Sequence, residues 1–176
     1  DPLISIRRGK REATVSLRLY GEVQKEVIQA TLADEFAIDV EFEPSQVICI
    51  ERVIGQGEAL EVVDGPGNPF LATVGLRIEP APPGHGIDYH RELGALPLAF
   101  YRAIEETVFA TLDEGLLGWP VPDCRVTLTR VGMTPITAAG DFRKLVPLVL
   151  MSALQAAGTE VCEPVVRFTL ELPSDI

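Results

Sequence analysis

The stretch MTPITAAGDFRKLVPLVLMSALQAAGTEVCE, Met133 to Glu163, reads as a short Thr-Pro loop followed by an almost wholly apolar helix. Just before it, CRVTLTR (Cys124 to Arg130) alternates, with Val126 and Leu128 on one face and Arg125, Thr127 and Thr129 on the other. That is the two-residue period of a half-buried strand, predicted to end at Gly132. Beyond the loop, Asp141 suits a helix start and Phe142, Leu145, Val146, Val149, Ala153 and Leu154 recur at helical spacing. Gly158 sits where a left-handed C-terminal residue is wanted, and Pro147 is expected to kink the helix or to confine regular pairing to the residues after it. The spacing predicts that Gly132, Met133, Thr134, Pro135, Ile136 and Thr137 stand out between two rigid elements. Pro135 fixes φ and Gly132 is permissive, so little entropy remains to be lost on docking. Such a segment has the build of a probe.

Composition bounds the rest. A chain of 176 residues can bury a real core, as one domain or two small ones. At 47% hydrophobic residues and with no uninterrupted apolar run of membrane-spanning length, it reads as globular, soluble and not membrane-spanning. The chain begins Asp1-Pro2 without an initiator Met or a signal-like segment, so a fragment or processed product is expected. Cys49, Cys124 and Cys162 are scattered beside apolar residues, which suits reduced, buried thiols of a cytoplasmic protein.

The net charge of −11 argues against non-specific binding of nucleic acid by the whole chain, which needs a dense basic face. The charge is unevenly spread. Thr31 to Asp64 carries a net −8, whereas Gly118 to Leu150, with Arg125, Arg130, Arg143 and Lys144 against Asp123 and Asp141, carries a net +2. The loop-bearing region is therefore the locally basic one, and any RNA contact should be local.

Two units are predicted, residues 1–46 and 47–176. In the first, Leu3 to Arg7 and Thr14 to Tyr20 read as strands, Glu22 to Glu35 as an amphipathic helix with a Val23, Val27, Ile28 and Leu32 stripe, and Ile38 to Phe42 as a strand. This β-β-α-β series is the C-terminal half of a ferredoxin-like domain. Its missing half should leave an apolar patch through which the fragment self-associates. In the second unit Val47 to Val53, Ala59 to Val63 and Leu71 to Ile78 read as strands. Pro97 opens a helix to Leu112 with Tyr101, Ile104, Val108 and Leu112 inward, and Val165 to Leu172 is a closing strand. The class is α+β.

Residues with chemical potential form no catalytic set in sequence. His85 and His90 flank Asp88 in a Pro/Gly-rich loop without a further His or Cys to complete a metal site. The serines show no nucleophile elbow, and the glycine pairs lack the phosphate-loop pattern. Glu105-Glu106 suits a solvated helix face, and Trp119 a packing role.

Five segments together resemble domain IV of the elongation factor G-like translational GTPases, and more closely the tetracycline-resistance ribosomal protection proteins. They are YGEVQKEVI (Tyr20 to Ile28), GNPFLATVGLRIEP (Gly67 to Pro80), GLLGWPVPDC (Gly115 to Cys124), TPITAAGDFRKLVPLVL (Thr134 to Leu150) and AGTEVCEP (Ala157 to Pro164). The resemblance implies the back half of the family's domain III, then a ribosomal protein S5 domain 2-like unit with a left-handed β-α-β connection. It implies that the GTPase domain, with its GTP and Mg, lies outside this chain, and that the fragment itself is no enzyme. The implied partner is the bacterial ribosome, at the 16S rRNA of the small subunit near the decoding site, where the Gly132 to Thr137 loop dislodges tetracycline.

Second-line ribosome-facing residues implied by the resemblance are Asn68, Pro69 and Phe70, then Leu93, Gly94 and Leu96, and Arg130. Many family members carry aromatic residues just before the Ser/Thr-Pro, where this chain has Gly132 and Met133. Stacking is worth about 1–3 kcal/mol per base, so Met133 fills space but holds a base less well. Two other readings stand beside this one: an elongation factor G paralogue acting in translocation or ribosome release without drug resistance, and a small-molecule enzyme on the same S5-like fold.

Overall fold

The computed structural model describes residues 5–8, 15–19, 21–45, 47–92 and 95–163, with Val165 and Thr169. They fall into two compact units, Asp1–Gln46 and Val47–Ile176.

In the first unit β1 (Ser5–Arg8) pairs antiparallel with β2 (Val15–Arg18), from Ser5 opposite Arg18 to Arg8 opposite Val15. Helix α1 (Glu22–Phe36) follows Gly21 and buries no residue. The expected strand at Ile38 to Phe42 does not form. Helix α1 ends on Ala37 in the left-handed region at φ 53°, and the Ala37 and Ile38 amides both donate to the Leu32 carbonyl. This cap reverses the chain. The Gln29 amide then donates to the Val40 carbonyl at 3.2 Å, Lys25 Nζ stands 5.7 Å from the Phe42 ring centre, and the Ser45 hydroxyl donates to Glu22 at 2.6 Å. Residues 38–45 thus run back along the helix. The described hydrogen bonds of this segment go to α1, and it pairs with neither β1 nor β2, so the alternation in its sequence makes no strand.

The second unit holds β3 (Ile50–Val53), β4 (Gly57–Glu61), β5 (Ala72–Pro80), β6 (Ile87–Arg91), α2 (Leu98–Leu112), β7 (Cys124–Met133), α3 (Ala139–Ala157) and β8 (Thr159–Cys162). Strands β4-β5-β7-β6 form a four-stranded sheet, in that order, and β3 and β8 pair separately and antiparallel. The β4/β5 and β5/β7 pairs are antiparallel; β6 and β7 are parallel, joined through α2. This is an α+β fold with one β-α-β crossover among the described residues.

Period-two patterning builds the core. Ala72, Val74, Leu76 and Ile78 of β5 and Cys124, Val126 and Leu128 of β7 are fully buried, beneath Phe142, Leu145, Val146, Val149 and Leu150 of α3 and Ile104, Val108 and Leu112 of α2. Each large apolar side chain buried this way contributes roughly 1.5–3 kcal/mol. Burial also holds the Cys124 thiol protonated, its pKa pushed up to about 12. All three cysteines are free thiols, but Cys49 and Cys162 are only half-buried.

Strict alternation along β7 would have turned Arg130 inward with Val126 and Leu128. A β-bulge prevents this: Leu76 faces Leu128 and Gly75 faces Arg130, leaving Thr129 as the extra residue. The parity flips there, so Arg130 reaches solvent and Val131 packs on the core.

Two strands were not expected. Strand β6 looked like loop because of its charges and flanking Pro and Gly, yet Ile87 and Tyr89 pack on the core while Asp88 and His90 alternate with them. Strand β8 is a short edge against β3. Helix α3 runs through Pro147 without interruption, Gly158 takes φ 75° with extended ψ instead of a left-handed cap, and Val47–Val53 shortens to Ile50–Val53. The expected strand Val165 to Leu172 lies outside the described residues apart from Val165 and Thr169, neither of which is in a strand. Among the described residues no helix is long and apolar enough to cross a membrane.

Candidate functional site

The topology brings three connections to one end of the sheet. Strands β6 and β7 are parallel and β5 is antiparallel to β7, so the β4–β5, β6–α2 and β7–α3 connections leave from the same end. These are the segments containing Asn68-Pro69-Phe70, Ala95 to Leu98, and Thr134 to Thr137. Their convergence is invisible in the sequence.

The β7–α3 connection is shorter than its spacing predicts. Gly132 and Met133 belong to β7, where they pair with Thr73 and Ala72. The reason for glycine at 132 is close approach, since an added Cβ would stand 3.0 Å from the Thr73 Cβ. Thr134 to Thr137 forms the turn itself, with the Thr137 amide donating to the Thr134 carbonyl at 3.2 Å and the Thr134 amide donating to Thr137 Oγ1 at 2.7 Å. The Thr137 hydroxyl also donates to the Leu71 carbonyl, bracing this turn on the β4–β5 connection. The two threonines therefore face inward, and the apolar residues between them face out. Ile136 is 75% exposed and Met133 48%, with Pro135 exposed beside them. Asp141 accepts the Ala138 amide at 2.8 Å and starts α3 directly behind the turn.

Asn68 braces its own loop. Its side-chain amide donates to the Val62 carbonyl at 2.9 Å and the Ala72 carbonyl at 3.0 Å, and its oxygen accepts the Phe70 amide at 2.9 Å. Phe70 and Leu96 are half-buried against the core, and Pro69 is exposed. Leu93 and Gly94 lie outside the described residues. Arg130 stands exposed on the sheet face away from the helices, in a shallow groove with Glu58, Leu60 and Thr129.

On that same face Asp88 accepts from His90 Nε2 at 2.8 Å and Arg125 Nε at 3.1 Å. These bonds, that from His90 first, hold the Asp88 carboxyl below the usual aspartate range. His85 is exposed in a turn, and no group of metal-ligating residues occurs among the described residues. Tyr89 Oη is buried without a hydrogen-bond partner among the described residues, and burial raises its pKa.

The sequence hid one polar anchor. Glu51 looks like one more acid in an acidic run, yet its side chain is fully buried. Its carboxylate accepts the backbone amides of Leu117 at 2.6 Å, Leu116 at 3.1 Å and Trp119 at 3.2 Å. A Cβ on Gly115 would stand 2.7 Å from that carboxylate, which is why GLLGWP opens with glycine. This anchor sets the loop leading into β7 at the end of the sheet opposite the Thr134–Thr137 turn. The only signal for it in sequence was an acid within an otherwise strand-like apolar run.

Comparison with known proteins joins this geometry to a family. The chain is 49% identical over 181 residues to an oxytetracycline resistance protein of Streptomyces rimosus, covering 99% of the chain and 27% of that protein. It is 50% identical over 179 residues to the tetracycline resistance protein TetM of Streptomyces lividans (99% and 28%), and 39% identical over 178 residues to TetP of Clostridium perfringens (99% and 27%). The chain thus spans little more than a quarter of these relatives. A crystal structure of a protein from Thermus thermophilus matches at TM-score 0.58 and 23% identity, over 92% of this chain and 25% of that one, and supports the fold. Residues 45–158 match the family model for elongation factor G, domain IV, and since this is more than half of the chain, the chain belongs to that family.

Proposed function

We propose that this chain is the ribosome-engaging arm of a tetracycline ribosomal protection GTPase. The observation that carries the reading is the identity of 49–50%, across 99% of the chain, with proteins named for oxytetracycline and tetracycline resistance. In this reading the gene product is cytoplasmic and binds GTP and Mg in a part outside this chain. The arm reaches 16S rRNA of the small subunit near the decoding site and displaces the drug.

The local geometry suits that task. Thr134 and Thr137 spend their hydrogen-bonding groups on the turn and on Leu71, so Pro135 and Ile136 are presented in one preformed shape. A preformed apolar tip gives up little conformational entropy on docking and can crowd a base or a flat ligand stacked on it. Met133 extends the apolar surface from the end of β7.

The test is tetracycline release from bacterial ribosomes by the whole gene product at matched soluble concentration. The double variant Pro135→Gly, Ile136→Gly is expected to lose most of the release while retaining ribosome-stimulated GTP hydrolysis. Release at the unmodified rate by that variant would refute the tip mechanism. Ribosome-stimulated hydrolysis with no drug release by the unmodified protein would instead favour an elongation factor G paralogue, a reading that the general domain IV match also supports.

A further inference from the structure

At the bulge of β7 the sheet face away from the helices has a notch. Leu60 of β4, Gly75 of β5 and Arg130 of β7 stand opposite one another across three strands, with the glycine in the middle. A Cβ on Gly75 would come within 2.9 Å of Thr129 Oγ1, 3.1 Å of the Arg130 Cβ and 3.2 Å of Leu60 Cδ1. These side chains therefore close in over a bare stretch of backbone. With Glu58 they line a shallow groove of about 300 Å³, at the small end of the range for ligand sites.

The two charged walls of the groove are not spent on each other. The Thr129 hydroxyl donates to Glu58 Oε1 at 3.2 Å, which orients the carboxylate. Arg77, opposite Glu58, is taken by Glu92 and Glu79. Arg130, turned outward by the bulge, has no hydrogen bond or ion pair among the described residues. One acid and one base leave the groove electrically balanced, so it selects by donor and acceptor pattern and not by net charge. The pattern calls for a flat group that lies against Leu60, offers N–H donors to Glu58 and offers acceptors to Arg130. Guanine meets all three demands, with O6 and N7 for the arginine and N1–H and N2–H for the carboxylate. Adenine has a bare nitrogen at position 1 and an amino group in place of O6, so it is mismatched at both walls. An unstacked base of single-stranded RNA exposes both of these edges.

We propose that the groove between Glu58 and Arg130 holds an unpaired guanine of an RNA strand docked at the Thr134–Thr137 turn. Arg130 precedes Met133 by three residues on β7, about 10 Å at the rise of a strand, so a strand at the turn passes close to the groove. A shallow groove holds a free base poorly, but a base tethered to a docked strand arrives at high effective concentration. The inference rests on the RNA-facing reading of the turn and adds a base-specific contact to it.

Two reagents read the two edges separately: kethoxal reacts at guanine N1 and N2, and dimethyl sulfate at guanine N7. The experiment footprints 16S rRNA in bacterial 70S ribosomes bound by the whole gene product, comparing variants at matched ribosome occupancy. One guanine is expected to be protected from both reagents by about fivefold or more. Glu58→Ala is expected to restore its kethoxal reaction and Arg130→Gln its dimethyl sulfate reaction, each to within about twofold of the unbound ribosome. Both residues are exposed, so neither change threatens the fold. Arg52→Gln, on β3, is the control and is expected to leave the footprint as it is. If no guanine is protected from both reagents, or if either variant leaves both protections intact, the groove does not read a base. Absence of 70S binding by the unmodified protein overturns the ribosome reading, and the same footprint on protein-free 16S rRNA then decides the groove. Absence of binding to either probe overturns both.

Discussion

Helices α1 and α3 both carry apolar residues at helical spacing, fewer and less segregated to one face in α1, and end in opposite situations. Val23, Val27, Ile28 and Leu32 recur along α1 at helical spacing, yet none is buried, and Val27 is 58% exposed. On α3 the equivalent stripe buries eight residues, from Phe142 to Ala157, against β4, β5 and α2. Helical periodicity therefore states which face is ready for burial. Whether burial happens depends on an opposing surface, which the second unit supplies from its own sheet and the described part of the first does not. The same difference separates the two expected alternating strands. CRVTLTR finds β5 and β6 on either side, whereas Ile38 to Phe42 finds only the side of α1.

The largest effect should come from the buried helix. Phe142→Ala is expected to cost about 3–5 kcal/mol in urea unfolding, because it removes a ring packed on Phe100 and leaves a cavity. A cost under about 1 kcal/mol would mean that the α3 interface is far looser than its burial indicates. Next comes Glu51. Replacing it with Ala leaves buried amides without an acceptor, at about 1–3 kcal/mol for each one that water does not reach. The Leu117 amide should then exchange much faster with solvent, and unchanged protection would show that the carboxylate is not what holds the loop.

Smaller effects belong to the exposed helix. Val27→Ala is expected to change stability by no more than about 0.5 kcal/mol, and the amides of α1 should exchange faster than those of α3. Equal protection in the two helices would erase the contrast. The exposed stripe should also make the chain self-associate, and a monomer at every accessible concentration in sedimentation would count against that.

The smallest effect is a titration. Asp88 is held below the ordinary aspartate range by His90 first and Arg125 second. Its folded pKa is depressed, so its contribution to stability is complete above the unfolded value of about 3.9. That contribution is lost as pH falls through the lower folded value. The Asp88 carboxyl midpoint, followed by NMR, should rise toward the ordinary value in His90→Ala. No movement would remove His90 as the cause.

Periodicity and turn residues were enough to establish the mixture of helices and strands, helices α1, α2 and α3, a strand near β5, the inward face of β7 at Val126 and Leu128, and the Thr-Pro turn at the tip. These are local properties, set by side-chain spacing and by backbone restrictions at Pro and Gly. Strand partners, bulges and buried polar groups are not local. The sequence does not show that an extra residue at Thr129 rotates Arg130 out of the core, that Gly132 is small because Thr73 lies across from it, or that Ile87 to Arg91 finds an edge beside β7. Nor does it show that Glu51 leaves the acidic surface to accept three backbone amides. Each of these outcomes depends on which surface a residue meets, and that is decided when the chain packs.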